Sequence, residues 1–144
     1  MRRYQFYSTI DFKDIFQVSG NVYYQPISKI AETIDSFAIL PLSVFISGAD
    51  GWCLVTIQST IATRHKANGT VLRRLYHHIK GKLGMDIPHF HIFVTSLSGD
   101  GGIRTYQKYT QDNGNYYVHE PDIPQYAMLF RDEFQQLMDQ FSHQ

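Results

Sequence analysis

Pro88-His89-Phe90-His91-Ile92-Phe93-Val94 is the stretch that decides how the chain folds. It is aromatic, β-branched and bounded by a proline, the composition of a strand. Strand side chains alternate between faces. His89 and His91 therefore point one way, continued by Phe93 and Thr95, while Phe90, Ile92 and Val94 point the other way, into a core. Just upstream lies the clearest helix. Asn68-Gly69-Thr70 opens it, Leu72, Leu75, Ile79 and Leu83 fall on one stripe, and Gly84 supplies a stop. Arg73, His77 and Lys80 occupy another face of that helix.

Further out, residues 52–59 read as a strand. The apolar run 40–47 ends in the turn Gly48-Ala49-Asp50-Gly51, which predicts a hairpin of 41–47 with 52–59. Downstream, Gly99-Asp100-Gly101-Gly102 breaks the pattern. Residues 103–109 and 115–120 predict a second hairpin around Asp112-Asn113-Gly114-Asn115. Residues 4–10 alternate weakly, as a strand would. Pro26 precedes Ile27, Ile30, Ala31 and Ile34, a short helix over 27–37. Pro124 introduces a final helix with the stripe Tyr126, Leu129, Phe130, Phe134, Leu137, Met138 and Phe141. The expected fold is a single α+β domain over 1–144, a mostly antiparallel sheet packed with two or three helices.

The 144 residues suit one ordinary domain, which buries roughly 70% of its unfolded surface without metal or disulfide staples. Ten Tyr and ten Phe favour strands, stacking surfaces or an interface. The lone cysteine, Cys53, rules out an intrachain disulfide, and its apolar neighbours predict a buried, inert thiol in a reducing compartment. No apolar run approaches the roughly 18–20 residues of a membrane helix. The basic start, Met1-Arg2-Arg3, has no apolar core after it as a secretory signal would. A cytoplasmic protein without membrane contact is expected.

Net charge is zero, which argues against strong nonspecific nucleic-acid binding. The charge is unevenly spread. Residues 51–85 contain no acid but hold Arg64, Lys66, Arg73, Arg74, His77, Lys80 and Lys82, a candidate phosphate-binding set. Beyond Gln111, Asp112, Glu120, Asp122, Asp132, Glu133 and Asp139 face only Arg131. The alternative for the basic set is a solvated helix face.

Two imidazoles at i and i+2 on one strand face can bind one divalent metal. His119 is the first candidate for a third ligand, with Glu120 and Gln58 as alternatives. The same pair also fits a half-exposed strand face with no metal. Val55-Thr56-Ile57, the basic helix over 70–83 and the His-Phe-His strand together resemble, over residues 52–110, the endonuclease family named for its His-hydrophobic-His motif. That family includes rolling-circle replication initiators, relaxases and single-tyrosine transposases. The resemblance implies a central antiparallel sheet and a divalent metal (manganese, magnesium or zinc) that polarises the scissile phosphate. It also implies a tyrosine nucleophile attacking DNA. Tyr106 and Tyr109, which bracket Lys108, and Tyr126 are the candidates.

Other histidine chemistries fit less well. Residues 93–98 hold no glutamate of the cupin kind. No Thr or Ser stands two residues after His89, His91 or His119, as two-histidine phosphoesterases need. The 99–102 glycines lack the lysine and helix of a phosphate cradle. A metal-free RNase built from His77, His78 or His89 with Lys80 is not singled out by spacing. Three functions remain. One is an interaction or accessory protein that uses an aromatic-rich, charge-polarised surface to bind a protein partner or itself, which needs the fewest coincidences. The second is a metal-dependent DNA-nicking or strand-transfer endonuclease. The third is a non-catalytic nucleic-acid module using segment 64–82.

Overall fold

The computed structural model describes residues 2–6, 20, 22–26, 33–60, 66–96, 103 and 105–130. The first five strands are β1 (Arg2–Phe6), β2 (Val22–Pro26), β3 (Ser36–Pro41), β4 (Trp52–Thr60) and the two-residue β5 (Ala67–Asn68). Helix α1 (Gly69–Leu83) follows, then β6 (His89–Ser96), β7 (Tyr109–Thr110) and β8 (Gln125–Phe130). Six of the strands make one sheet in the order β1-β2-β3-β4-β6-β8, while β5 and β7 pair separately, in parallel.

The strand directions follow from the connections. β3 and β4 form a hairpin and run antiparallel. Between β4 and β6 the chain passes through α1, and a helical crossover returns the next strand parallel to the first. β8 runs parallel to β6. On the other side β2 opposes β3, and β1 follows β2. Only β3 is therefore reversed, and the sheet is mixed and largely parallel rather than mostly antiparallel as expected. The reason lies in burial. Residues 53–56 of β4 and 89–95 of β6 are all buried, on both faces, which is the condition parallel strands require.

One face of the sheet packs Leu54 and Phe93 under Val71, Leu72, Leu75 and Ile79 of α1, together with Tyr24, Ile34, Phe37 and Ile39. Full burial of each large aliphatic side chain contributes about 1.5–3 kcal/mol. The other face buries Cys53, Val55, Phe90, Ile92 and Val94 against Leu40, Leu42, Phe45 and Ile57. Cys53 is fully buried, and desolvation pushes its thiol up to about 11, so it is inert as expected.

Helix α1 matches its sequence signals at both ends. Asn68 caps it by accepting from the backbone N–H of Thr70 and Val71, at 3.0 and 3.2 Å. Gly84 closes it in the left-handed region at φ 71°, where glycine carries no Cβ penalty. Gly69 has a different role: a Cβ there would meet the Tyr117 ring at 2.9 Å and Pro121 at 3.1 Å. An Asn68→Ala variant should lose about 1 kcal/mol of stability in urea unfolding, the usual value of such a cap.

Elsewhere the structure corrects the sequence expectations. The hairpin exists, but its first arm is β3, and residues 42–44 form a 3-10 turn, after which Phe45 stacks on Phe90 at 4.5 Å. The helix expected over 27–37 is absent from its described part, since Thr33 has φ 69° and β3 begins at Ser36; residues 27–32 lie outside the described residues. Among the described residues only β7, with the bridge Thr110↔Tyr116, represents the second hairpin. The final helix is replaced over Gln125–Phe130 by β8, which β6 recruits as a sheet neighbour, and 131–144 lie outside the described residues. Residues 7–10 of the expected first strand also lie outside them. Among the described residues α1 is the one α-helix, so the class is mixed α and β without the second and third helices expected. No described helix is long and apolar enough to cross a membrane.

Candidate functional site: a buried histidine relay beside a cavity

His89 and His91 do share a face, but it is the buried face under α1, not a half-exposed one. His89 is 7% exposed and His91 0%. The β4–β6 register sets Leu54 beside His89 and Thr56 beside His91. The Thr56 hydroxyl lies between the two rings, 2.9 Å from His89 Nε2 and 2.8 Å from His91 Nδ1. His91 Nε2 lies 3.0 Å from Gln58 Oε1, and Gln58 Nε2 donates to the Lys66 carbonyl.

These partners fit one arrangement of the protons. The Lys66 carbonyl can only accept, so the Gln58 amide nitrogen faces it and the Gln58 oxygen faces His91. His91 therefore donates from Nε2 and accepts at Nδ1. The Thr56 hydroxyl donates to that nitrogen in preference to the Phe90 carbonyl, which is 3.4 Å away. His89 then donates from Nε2 to the Thr56 oxygen, and its Nδ1 carries a lone pair. That Nδ1 is the one fully buried side-chain polar atom without a hydrogen-bond partner among the described residues. Burial, with His91 nearby, depresses the His89 pKa to about 3, so the imidazole stays neutral.

His89 lines a cavity of about 250 Å³ together with Arg73 and Tyr76 of α1, Pro88, and Pro121 and Asp122 ahead of β8. Tyr76 lies over the His89 ring at 6.2 Å, nearly parallel, and its hydroxyl donates to Asp86 at 2.6 Å. That bond to an anion raises the Tyr76 pKa.

The other sequence candidates sit apart. His119 is exposed in the segment between β7 and β8. Among the described residues no three His, Cys, Asp or Glu side chains gather as a metal site. Gln58, an alternative third partner, is the one that meets His91. Glu120, the other, accepts from the Tyr106 hydroxyl and the Tyr109 backbone N–H, both at 3.0 Å. Tyr109 is fully buried, its hydroxyl donates to the Ile123 carbonyl at 2.8 Å, and burial raises its pKa. Tyr106 is half-exposed, and burial with Glu120 pushes it up to about 12, away from the phenolate a nucleophile needs. Tyr106 and Tyr126 instead line a second cavity of about 200 Å³ with Gln125. The antiparallel pairing implied by the endonuclease resemblance is not how β4 and β6 run.

The basic set is partly neutralised. Arg74 pairs with Asp112 at 3.2 Å and Lys80 with Asp86 at 3.1 Å. Lys66, His77 and Lys82 are exposed, Arg73 faces the cavity, and Arg64 lies outside the described residues. The expected separation of charge is therefore incomplete, because acids from 86 and 112 fold back onto the basic helix. Sequence reading missed Thr56 as the central residue of the site, along with Tyr76 and Asp122. The single threonine inside the apolar run 53–57 was the available signal for Thr56.

Compared with known proteins, the chain matches no family model, no curated protein and no solved structure.

Proposed function

We propose that this domain binds a small ligand in the cavity walled by His89. The observation that supports this reading is the cavity of about 250 Å³ that His89 lines, on a residue whose Nδ1 is buried and without a partner. Leaving such a group unmatched costs about 1–3 kcal/mol, and native structures retain few of them. Tyr76, Pro88 and Pro121 give the space apolar walls, and Arg73, Asp122 and His89 give it a few polar ones, the usual make-up of a ligand pocket.

The site fits binding better than proton transfer. A general base works best with a pKa near the working pH, and His89 is held far below that. The relay Thr56–His91–Gln58 instead fixes the tautomer, so the imidazole beside the cavity keeps one neutral form. The interaction reading has its own support in Val44, Ile46 and Trp52, all exposed near one end of the β3–β4 hairpin.

The test is nitrogen NMR of ¹⁵N-histidine-labelled protein, following His89 Nδ1 while small N–H and O–H donors are added. A subset of compounds is expected to move that resonance and leave His119 unmoved. If a diverse donor set leaves Nδ1 unchanged, the cavity is not a ligand site.

A further inference from the structure

The two edges of the six-stranded sheet differ in chemistry. β1 carries Arg2 and Arg3, charges of the kind that keep an edge from pairing with another chain. β8, at the other edge, reads Gln-Tyr-Ala-Met-Leu-Phe, with neither a charge nor a proline. Among the described residues no strand pairs with its outer side. Tyr126 is 45% and Met128 39% exposed, and Ala127 between them is exposed as well.

The backbone directions leave this edge with hydrogen-bonding groups to offer. His91 N–H donates to the Pro124 carbonyl at 3.0 Å. In the parallel register that follows, Tyr126 and Met128 turn their N–H and C=O groups toward β6, and Ala127 turns both of its own outward. The strand is also complementary to itself. When two copies pair antiparallel about Ala127, the two alanines exchange both N–H···O bonds. Tyr126 then stands opposite the partner's Met128 at the closer, non-hydrogen-bonded spacing, where a thioether meets an aromatic ring. A neutral strand meets its own copy without charge repulsion. The Phe45 ring lies 5.3 Å from that of Tyr126, and with its exposed neighbours Val44 and Ile46 it continues the apolar surface beside the strand.

We propose that this chain forms a two-fold dimer in which β8 pairs antiparallel with β8 of a second copy, Ala127 on the axis, joining the two sheets into one. A two-fold contact closes on itself, so it covers the uncharged edge without growing a fibre.

A single strand edge buries less than the roughly 800 Å² per partner of a standard interface, so a dissociation constant on the order of 10–100 µM is expected. Sedimentation equilibrium of the full chain from about 5 to 500 µM should show monomer passing to dimer. Met128→Lys, at an exposed position, should weaken the dimer at least about tenfold, because charge on an edge blocks strand pairing. Ala127→Pro should weaken it as much. The N–H it removes points away from β6, so circular dichroism should show the fold retained. Mixing Tyr126→Cys with Met128→Cys copies under mild oxidation tests the alignment. The mixed crosslink should dominate, since those positions lie about 4.5 Å apart between Cα atoms, while like positions lie on a diagonal of roughly 7–8 Å.

A monomer at every concentration overturns the proposal and leaves the edge to a strand of another protein. A dimer that neither Met128→Lys nor Ala127→Pro weakens has its interface elsewhere, which overturns it too. Crosslinks between like positions as abundant as the mixed one overturn the pairing about Ala127.

Discussion

Replacing Thr56 by Val should lower the unfolding free energy by about 2–6 kcal/mol, although the shapes of the two side chains are nearly the same. The cost comes from what the hydroxyl connects. Thr56 accepts from His89 Nε2 and donates to His91 Nδ1 within fully buried surroundings. A methyl in its place leaves one buried donor and one buried acceptor unmatched, at about 1–3 kcal/mol each. Val and Thr are therefore not interchangeable here despite equal volume. Thr56→Ser keeps the hydroxyl and removes only a methyl, so it should cost about 1 kcal/mol. Urea unfolding of both variants checks the prediction. Equal losses in the two would mean that packing, not the relay, holds this part of the sheet.

The second large effect is with acid. In the folded chain His89 stays neutral down to about pH 3, whereas an unfolded imidazole takes its proton near 6.5. Below 6.5 the unfolded state binds more protons than the folded one, so stability falls as pH falls. The contribution is complete above 6.5 and declines toward pH 3 by about 1.4 kcal/mol per pH unit for this single proton. Unfolding measured at pH 7.5 and pH 5 should therefore differ by about 2 kcal/mol from His89 alone. Asp86, whose hydrogen bond from Tyr76 lowers its pKa, has an ordinary value of 3.8 and contributes only at lower pH. A His89→Phe variant should show a shallower slope by about one proton. An unchanged slope would mean that His89 is not the group responsible.

Helix α1 was legible in the sequence down to its caps, because Asn68, the Leu72-Leu75-Ile79 stripe and Gly84 all act locally. The parallel arrangement was legible in principle. A helix between two strands that are apolar on both faces implies a crossover, but the turn signals at 48–51 and 112–115 pointed to hairpins. β8 was the harder case. Gln125–Phe130 is a short apolar run whose spacing suits either element. The free edge of β6 decided it, and that edge exists only in the assembled sheet. For the site, His89 and His91 were correctly placed on one face. What they do depends on Thr56, more than thirty residues earlier, and on a strand register that no local pattern states. His119 was joined to them by residue type alone, and the fold places it at the surface.

The relay has one more consequence, for how the two central strands find their alignment. Because β4 and β6 are buried on both faces, sliding one past the other by a residue still buries apolar groups, so hydrophobicity distinguishes the alignments poorly. A slip by one residue would turn Thr56 toward the Cys53–Val55 side of a misaligned partner, and a slip by two would leave His91 opposite Leu54 or Gln58. Each wrong alignment buries at least one imidazole without its hydroxyl. The three polar side chains thus act as a key cut into an otherwise smooth apolar seam, allowing the strands to lock in one position only.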